Sequence, residues 1–507
     1  MKITVLEGTK RYEVPFSEGS TILAALQTAG VQSITAPCGG NGTCRKCSVN
    51  VQSSSFSGTC LACVTKAEDG MTVEIAPEER MSFADSSGGK VYGPDPGQSG
   101  YAAAFDIGTT TVICQLLDLA TGNTLTKFRG SNEQRIFGGD VLSRLKAAEE
   151  GHAEELHEKL AAQTDQYLDK LCRTAKVDKK DVRLLAVTGN TIMMHFFAGL
   201  DPAQISTAPF TPVSLFGDTV NGKDIGLDFD GSVYICPAVS GFIGSDVVCG
   251  ILSSGVSAAE GQTMLLDLGA NTEMVIGNKD GMLACAADGG AAFKASLLEH
   301  GMMASTGAIA GVKYEDGELK LEVLGGGKPK GICGSGLIDV LGIMLREGVL
   351  DEMGHIAEAD EVGPEMARFI GEEEGRTVFY LTEDKKIFIS QADISKFQMA
   401  KAAIYAGVCV LSEEAGVSPA ELDRLLLGGG FGAFAHRSSS AVLGIIPSEC
   451  KGKTIKMGNV ALAGAVSAAL SGEARAELSR IQKIVKVTDL PTHPSFSDAF
   501  TDGMFFD

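Results

Sequence analysis

The chain has 507 residues, 44% of them hydrophobic, and a formal charge of −21 from 43 basic and 64 acidic side chains. That is enough apolar material for about two to four globular domains, and the acidity disfavours nucleic acid and anionic membrane as partners. No apolar run reaches about 18 residues, so no transmembrane helix is expected. Met1-Lys2 leads straight into a strand pattern rather than a signal peptide. Of the 13 cysteines, five fall before residue 64 and the rest are scattered. This pattern fits a cytoplasmic protein with one local metal site, not a disulfide scaffold.

Lys2 to Leu6 and Tyr12 to Pro15 alternate as a hairpin around Glu7-Gly8-Thr9. Ser20 is placed to cap a helix carrying Ile22, Leu23 and Leu26 on one face. Cys38, Cys44 and Cys47 follow with spacing C-x5-C-x2-C, and Cys63 comes 15 intervening residues later, ahead of a last strand around Met71 to Ile75. Four thiolates are what a 2Fe–2S cluster needs, and the glycines between Cys38 and Cys44 let backbone N–H groups face its sulfurs. Cys44/Cys47 and Cys60/Cys63 also make two CxxC pairs, the pattern of a Cys₄ zinc site; Cys38 in its Gly-rich loop favours iron–sulfur.

This module, residues 1–78, resembles the plant- and adrenodoxin-type ferredoxins. The resemblance implies a β-grasp domain with Cys38, Cys44, Cys47 and Cys63 as ligands, and it makes Cys60 an ordinary neighbour. Residues 79–100, with Ser86-Ser87-Gly88-Gly89 and Gly93-Pro94-Asp95-Pro96-Gly97, lack apolar periodicity and read as a flexible linker.

Beyond it, Phe105-Asp106-Ile107-Gly108-Thr109-Thr110-Thr111 recurs as Leu266-Asp267-Leu268-Gly269-Ala270-Asn271-Thr272. Each copy is a strand ending in an acid, a glycine turn, and hydroxyl or amide side chains. An acid there can hold a Mg²⁺-bound water, and the glycine lets backbone N–H groups approach phosphate. The repeat divides the remainder into a first lobe, 101–258, and a second, 259–507. In the first lobe Asn132, Gln134, Asp140 and Arg144 precede a charged helical stretch. A buried strand then leads to Thr188-Gly189-Asn190, read either as a helix cap or as part of a nucleotide cleft; His195 follows on the helix. Asp246 is a cleft acid or a helix cap. In the second lobe, Asp288-Gly289-Gly290 and Gly334-Ser335-Gly336 are loop-to-helix entries suited to anions or to tight packing. A strand at Asp423 to Leu427 runs into Gly428-Gly429-Gly430-Phe431-Gly432, where backbone can lie flat against a nucleoside. The helix after Gly458-Asn459 is rich in small residues and suits close packing at a lobe interface.

The order of these motifs resembles the acetate kinase, sugar kinase, Hsp70 and actin superfamily. Fused behind a ferredoxin, the chain resembles the reductive activators of corrinoid proteins. The resemblance extends over nearly the whole length, including Gln391-Ala392-Asp393-Ile394, Ile445-Ile446-Pro447 and Gly458-Asn459. It departs at Gly290-Ala291-Ala292-Phe293-Lys294-Ala295, where Lys294 replaces the family's usual Glu. The resemblance implies a multidomain α+β and α/β protein: ferredoxin, linker, then a two-lobed actin/Hsp70-like ATPase. It implies Mg–ATP between Asp106 and Asp267, with Thr109, Thr110, Asn271 and Thr272 on the phosphates and Gly429 and Gly430 on the adenosine. Asp106, Asp267 and Asp140 are the candidates for positioning the attacking water. The implied partner is a corrinoid protein of a methyltransferase system, whose cobalt(II) is returned to cobalt(I). A plant-type cluster near about −400 mV does this uphill transfer with ATP hydrolysis. A low-potential electron donor, a homodimer and a cytoplasmic location complete the expectation. The alternatives are an ATP-coupled electron donor to another acceptor, and a non-redox kinase-like enzyme with a zinc-binding head.

Overall fold

The computed structural model describes residues 1–7, 10–29, 47–75, 92–269, 271–287, 298–302, 304–429 and 442–506. In the N-terminal module β1 (Lys2–Glu7) and β2 (Lys10–Pro15) form the expected hairpin. After α1 (Ile22–Thr28) come β3 (Ser48–Gln52), β4 (Ser57–Leu61) and β5 (Thr72–Ile75), giving the sheet order β2-β1-β5-β3-β4. The first and last strands are parallel neighbours at its centre. Ile22, Leu23 and Leu26 of α1 bury against Ile3, Val5 and Val73. The helix is capped by Thr21, one residue after the expected Ser20: its extended backbone lets Oγ1 accept the Ala24 N–H at 3.2 Å.

The flexible linker expected over 79–100 does not extend through its last residues. Residues 79–91 lie outside the described residues, but from Tyr92, which is buried in the ATPase core, the chain is tied down. The Asp95 carboxylate accepts the Gly472 N–H at 2.8 Å, and the Asp95 N–H donates to the Leu470 carbonyl. Composition alone does not reveal this latch, because Asp95's partners lie nearly four hundred residues away.

The first lobe opens with a meander, β6 (Tyr101–Ile107), β7 (Thr111–Asp118) and β8 (Thr124–Ser131). Helices α2 (Val141–Ala147) and α3 (Ala153–Ala175) cross over to β9 (Val182–Thr188), parallel to β6. Then follow α4 (Thr191–Ala198), β10 (Thr219–Asn221), β11 (Ser232–Ile235) and α5 (Ser245–Ser254). The second lobe repeats the plan with β12 (Thr263–Leu268), β13 (Thr272–Asn278) and β14 (Gly281–Ala287). It then inserts two three-stranded sheets, β15 (Ala308–Glu315), β16 (Glu318–Val323) and β17 (Gly331–Ile332), and, after α6 (Gly334–Arg346), β18 (Ile370–Glu373), β19 (Arg376–Tyr380) and β20 (Phe388–Ser390). The long helix α7 (Gln391–Ala415) is apolar enough to cross a membrane by length and composition, yet two-thirds of its most apolar stretch is buried inside this lobe. The plan resumes at β21 (Arg424–Gly428), β22 (Thr454–Gly458), α8 (Val460–Leu470), α9 (Gly472–Ile484) and β23 (Val485–Val487).

The sheet orders are β10-β11-β9-β6-β7-β8 and β22-β21-β12-β13-β14-β23. Each contains the same five-strand core: two parallel strands, the aspartate strand, then two antiparallel strands. Two copies of one architecture therefore face each other. Helices α5 and α8, each following the fifth core strand of its lobe, cross between them. The small residues expected there are needed. A Cβ on Gly464 would stand 2.3 Å from the Cys249 carbonyl oxygen, and one on Gly250 would press Val460 at 3.1 Å. Ala102, Ala104 and Ala186 of the first sheet share one apolar core with Val460, Ala465 and Ala468 of α8.

Candidate active site

In the ferredoxin module, Cys47 is fully buried and its sulfur accepts the Cys63 N–H at 3.4 Å. A thiolate ligand takes N–H bonds of this kind, so these two residues fit the proposed cluster. Cys60 sits on β4 opposite Val49, a strand position away from that bond. Cys38 and Cys44 lie outside the described residues.

In the ATPase, Asp106 ends the aspartate strand of the first lobe and Asp267 that of the second. Each is followed by a tight turn: Gly108 N–H donates to the Thr111 carbonyl and Gly269 N–H to the Asn271 carbonyl, both at 3.0 Å. At Gly108 a Cβ would meet the Thr111 carbonyl at 2.9 Å, so the turn needs glycine. Three side chains hold the first turn from behind. Asn132 Nδ2 donates to the Gly108 carbonyl at 2.9 Å, and Asn190 Nδ2 to Thr109 Oγ1 at 3.1 Å. Arg144 reaches the Thr109 carbonyl and also Gln134 Oε1, at 3.2 Å for the latter. Asn190 answers both readings offered for it: its Oδ1 caps α4 through the Met193 N–H while its amide N–H holds Thr109. Thr109 is buried, whereas Thr110 is exposed and free to meet a ligand. In the second turn Asn271 is half-buried, and Thr272 Oγ1 is buried without a hydrogen-bond partner among the described residues. An orphaned hydroxyl beside a phosphate-type turn fits a bound anion.

The crossing helices complete the site by reaching across the cleft. Asn459 caps α8 by accepting the Leu462 N–H, and its Nδ2 donates to Asp106 Oδ2 of the other lobe at 2.7 Å. In the first turn of α5 stands Asp246, a cleft acid that feels the charge of Asp106 and whose own charge bears on Asp267. Glu273, directly across the ladder from Asp267, joins them. Burial pushes Asp106 up to about 6, where the Asn459 bond pulls it partly back; burial, then repulsion from neighbouring acids, pushes Asp246 and Asp267 to about 7 and Glu273 well above the usual carboxylate range. A cluster of hard oxygen donors that resists its own ionisation fits a divalent cation. Gly429 closes the second side. It adopts φ +80°, and a Cβ there would stand 2.5 Å from Asp267 Oδ1 and 2.4 Å from the Leu268 carbonyl. Gly430, Lys294 and the Asp288 to Phe293 entry lie outside the described residues.

One expectation changes, and two open readings close on their structural side. Asp140, a candidate for positioning water, is instead the N-cap of α2: it accepts the Ser143 N–H at 2.9 Å and is not among the mutually repelling acids. An Asp before an amphipathic stretch reads equally as cleft acid or cap; its Ser143 partner three residues on is the local sign of a cap. His195 is structural. Its Nδ1–H donates to the Thr191 carbonyl and Nε2 accepts the Val213 and Ser214 N–H groups. Gly334-Ser335-Gly336 serves packing, since a Cβ on Gly336 would stand 2.3 Å from the Ile309 carbonyl. Glu273 and Asn459 were missed as site residues. Glu273's signal was its place across a hairpin from Asp267; Asn459's was its place at the start of the small-residue helix, as Asp246 stands in the first turn of α5.

Comparison with known proteins gives a consistent result. Residues 10–77 match a 2Fe-2S iron-sulfur cluster binding domain, 101–259 the RACo middle region, and 261–507 the C-terminal domain of RACo, the ASKHA domain. The chain is 32% identical over 420 residues to the corrinoid activation enzyme RamQ of Eubacterium limosum, covering 80% of this chain and 70% of that protein. It is 24% identical over 421 residues to the [Co(II) methylated amine-specific corrinoid protein] reductase of Methanosarcina barkeri, covering 76% and 72%. Among solved structures, a reductive activator for corrinoid, iron-sulfur protein superposes with a TM-score of 0.72 at 29% identity, covering 99% of this chain and 98% of that one.

Proposed function

The chain belongs to the RACo family, and we propose that it is an ATP-hydrolysing iron–sulfur reductase that returns the cobalt(II) of a corrinoid protein to cobalt(I). The observation that carries this reading is the conjunction of a buried cysteine pair beside a ferredoxin-type sheet with a two-lobed cleft whose acids come from both lobes. RamQ and the Methanosarcina barkeri reductase, by their names, act on corrinoid proteins.

Cys47 and Cys63, with Cys38 and Cys44, would hold a 2Fe–2S cluster, which supplies a one-electron couple when bound. In the ATPase, Asp106, Asp267 and Asp246 would hold Mg²⁺ through its waters, the cation neutralising charge on the phosphates. Thr110, Asn271 and Thr272 present donors to the phosphate chain, Thr109 sets the first turn, and Gly429 leaves room beside Asp267 for the nucleotide. Asp267 and Asp246, poised near neutrality, are the acids suited to orient the attacking water. Because Asn459 of the second lobe binds Asp106 of the first, the nucleotide state at the acids bears directly on how the lobes meet. ATP hydrolysis to ADP and phosphate thereby resets the complex after one electron has passed to cobalt(II). We place the protein in the cytoplasm, as a homodimer fed by a low-potential donor.

The test is an anaerobic visible spectrum of the reduced protein mixed with a cobalt(II) corrinoid protein from the same source, with and without Mg–ATP. ATP-dependent growth of the cobalt(I) band is the expected result. Its absence, from protein that binds iron and hydrolyses ATP, would move the acceptor elsewhere.

A further inference from the structure

Arg144 of α2 is fully buried. Its donors all go to neutral acceptors: Nε to the Gly138 carbonyl at 3.1 Å, Nη1 to Gln134 Oε1, and Nη2 to the Thr109 carbonyl. No carboxylate among the described residues pairs with it. Asp140 is the one acid whose charge bears on it, and that side chain is engaged in capping α2. A guanidinium taken out of water without an ion pair costs several kcal/mol. A purely structural role would be served as well by an apolar or amide side chain. The carbonyl that Arg144 grips belongs to the turn after Asp106, so its charge stands directly behind the place a phosphate chain would occupy.

We infer that Arg144 is a positioning residue whose counter-charge is the nucleotide's phosphate chain. Through the Thr109 carbonyl it fixes the first phosphate turn and sets a buried positive charge behind it. The inference rests on the ATP reading above. It explains why the four carboxylates of the cleft do not leave the site uniformly negative: the first turn carries a fixed cation and the acids await a mobile one.

The experiment uses the full-length, cluster-loaded protein and titration calorimetry with Mg–ADP and Mg–AMP-PNP. R144M should weaken both by about tenfold to a hundredfold, the range that outer-shell partners carry, with the larger loss for the triphosphate. R144K keeps the charge and loses the fork, so it should fall between wild type and R144M. Asp140→Asn keeps the cap, since Asn caps as well as Asp, and removes the competing charge. It should tighten both nucleotides severalfold at low salt, an effect no structural role predicts. Should R144M not fold, R144K and D140N decide. Wild type that binds both nucleotides, with R144K unchanged and D140N unchanged or weaker, overturns the role of Arg144 alone. Wild type that binds neither nucleotide overturns the ATP reading itself.

Discussion

Replacing Asp246 by Asn should stabilise the nucleotide-free protein above pH 7 and weaken its response to Mg–ATP. Asp246 is pushed up to about 7 from an ordinary 3.8 by burial and by the charge of Asp106. A carboxyl raised in the folded state holds its proton more tightly there than in the unfolded chain, so stability falls as pH rises from about 4 to about 7. Three pKa units at about 1.4 kcal/mol each set an upper limit of about 4 kcal/mol for the cost of ionised Asp246 above pH 7. Part of that is desolvation, which an amide also pays, so the net gain expected for D246N is about 1–3 kcal/mol. Below pH 4 wild type and variant should converge. The assay is thermal unfolding of the full chain with chelator and no nucleotide, following the ATPase transition between pH 4 and 8. At about 2–4 °C per kcal/mol the variant should melt several degrees higher at pH 8. Adding Mg–ATP should reverse the order, because wild type gains a cation ligand that the variant lacks. Equal pH slopes in the two proteins, or a D246N that melts lower at pH 8 without ligand, would refute the reasoning.

Cys60→Ser should keep the visible absorbance and iron content of the cluster, whereas Cys63→Ser should lose both; the reverse outcome would exchange their assignments. Gly429→Ala forces a side chain into a left-handed backbone and against Asp267. Strain of about 1–2 kcal/mol plus overpacking of about 1–3 kcal/mol should lower the ATPase melting point and cut hydrolysis, read by phosphate release. Asp95→Ala removes the bonds to Gly472 and Ser471. It should cost about 1 kcal/mol, and limited proteolysis should cut faster near residues 92–100, with the ATPase rate little changed.

The two aspartate turns were legible because each is local: strand, acid, glycine and hydroxyls lie within seven residues, and their repetition marks two lobes. The close packing of α8 at the lobe interface was legible from its small residues; that α5 is its partner was not. What lay out of reach depended on the meeting of distant segments. Asn459 reads as a helix cap, and its hold on Asp106 follows only once α8 is laid across the first sheet. Asp246 joins the acids for the same reason, once the first turn of α5 is laid beside the second lobe. Asp140 and Asp246 look alike in the sequence, an acid at a helix start. Asp140 faces its own Ser143, while Asp246 faces the opposite lobe.

The latch at Asp95 also sets the length of a leash. Had the chain been free up to β6, twenty-five residues would separate Ile75 from Tyr101, with a maximum span of about 90 Å. Pinned at Tyr92, sixteen residues remain, with a maximum of about 60 Å. On a flexible chain effective concentration falls roughly as the −3/2 power of length, so a span of sixteen residues in place of twenty-five would bring the head to an acceptor docked on the ATPase about twice as often. An aspartate far from the nucleotide cleft thus limits how far the N-terminal module and the ATPase can part.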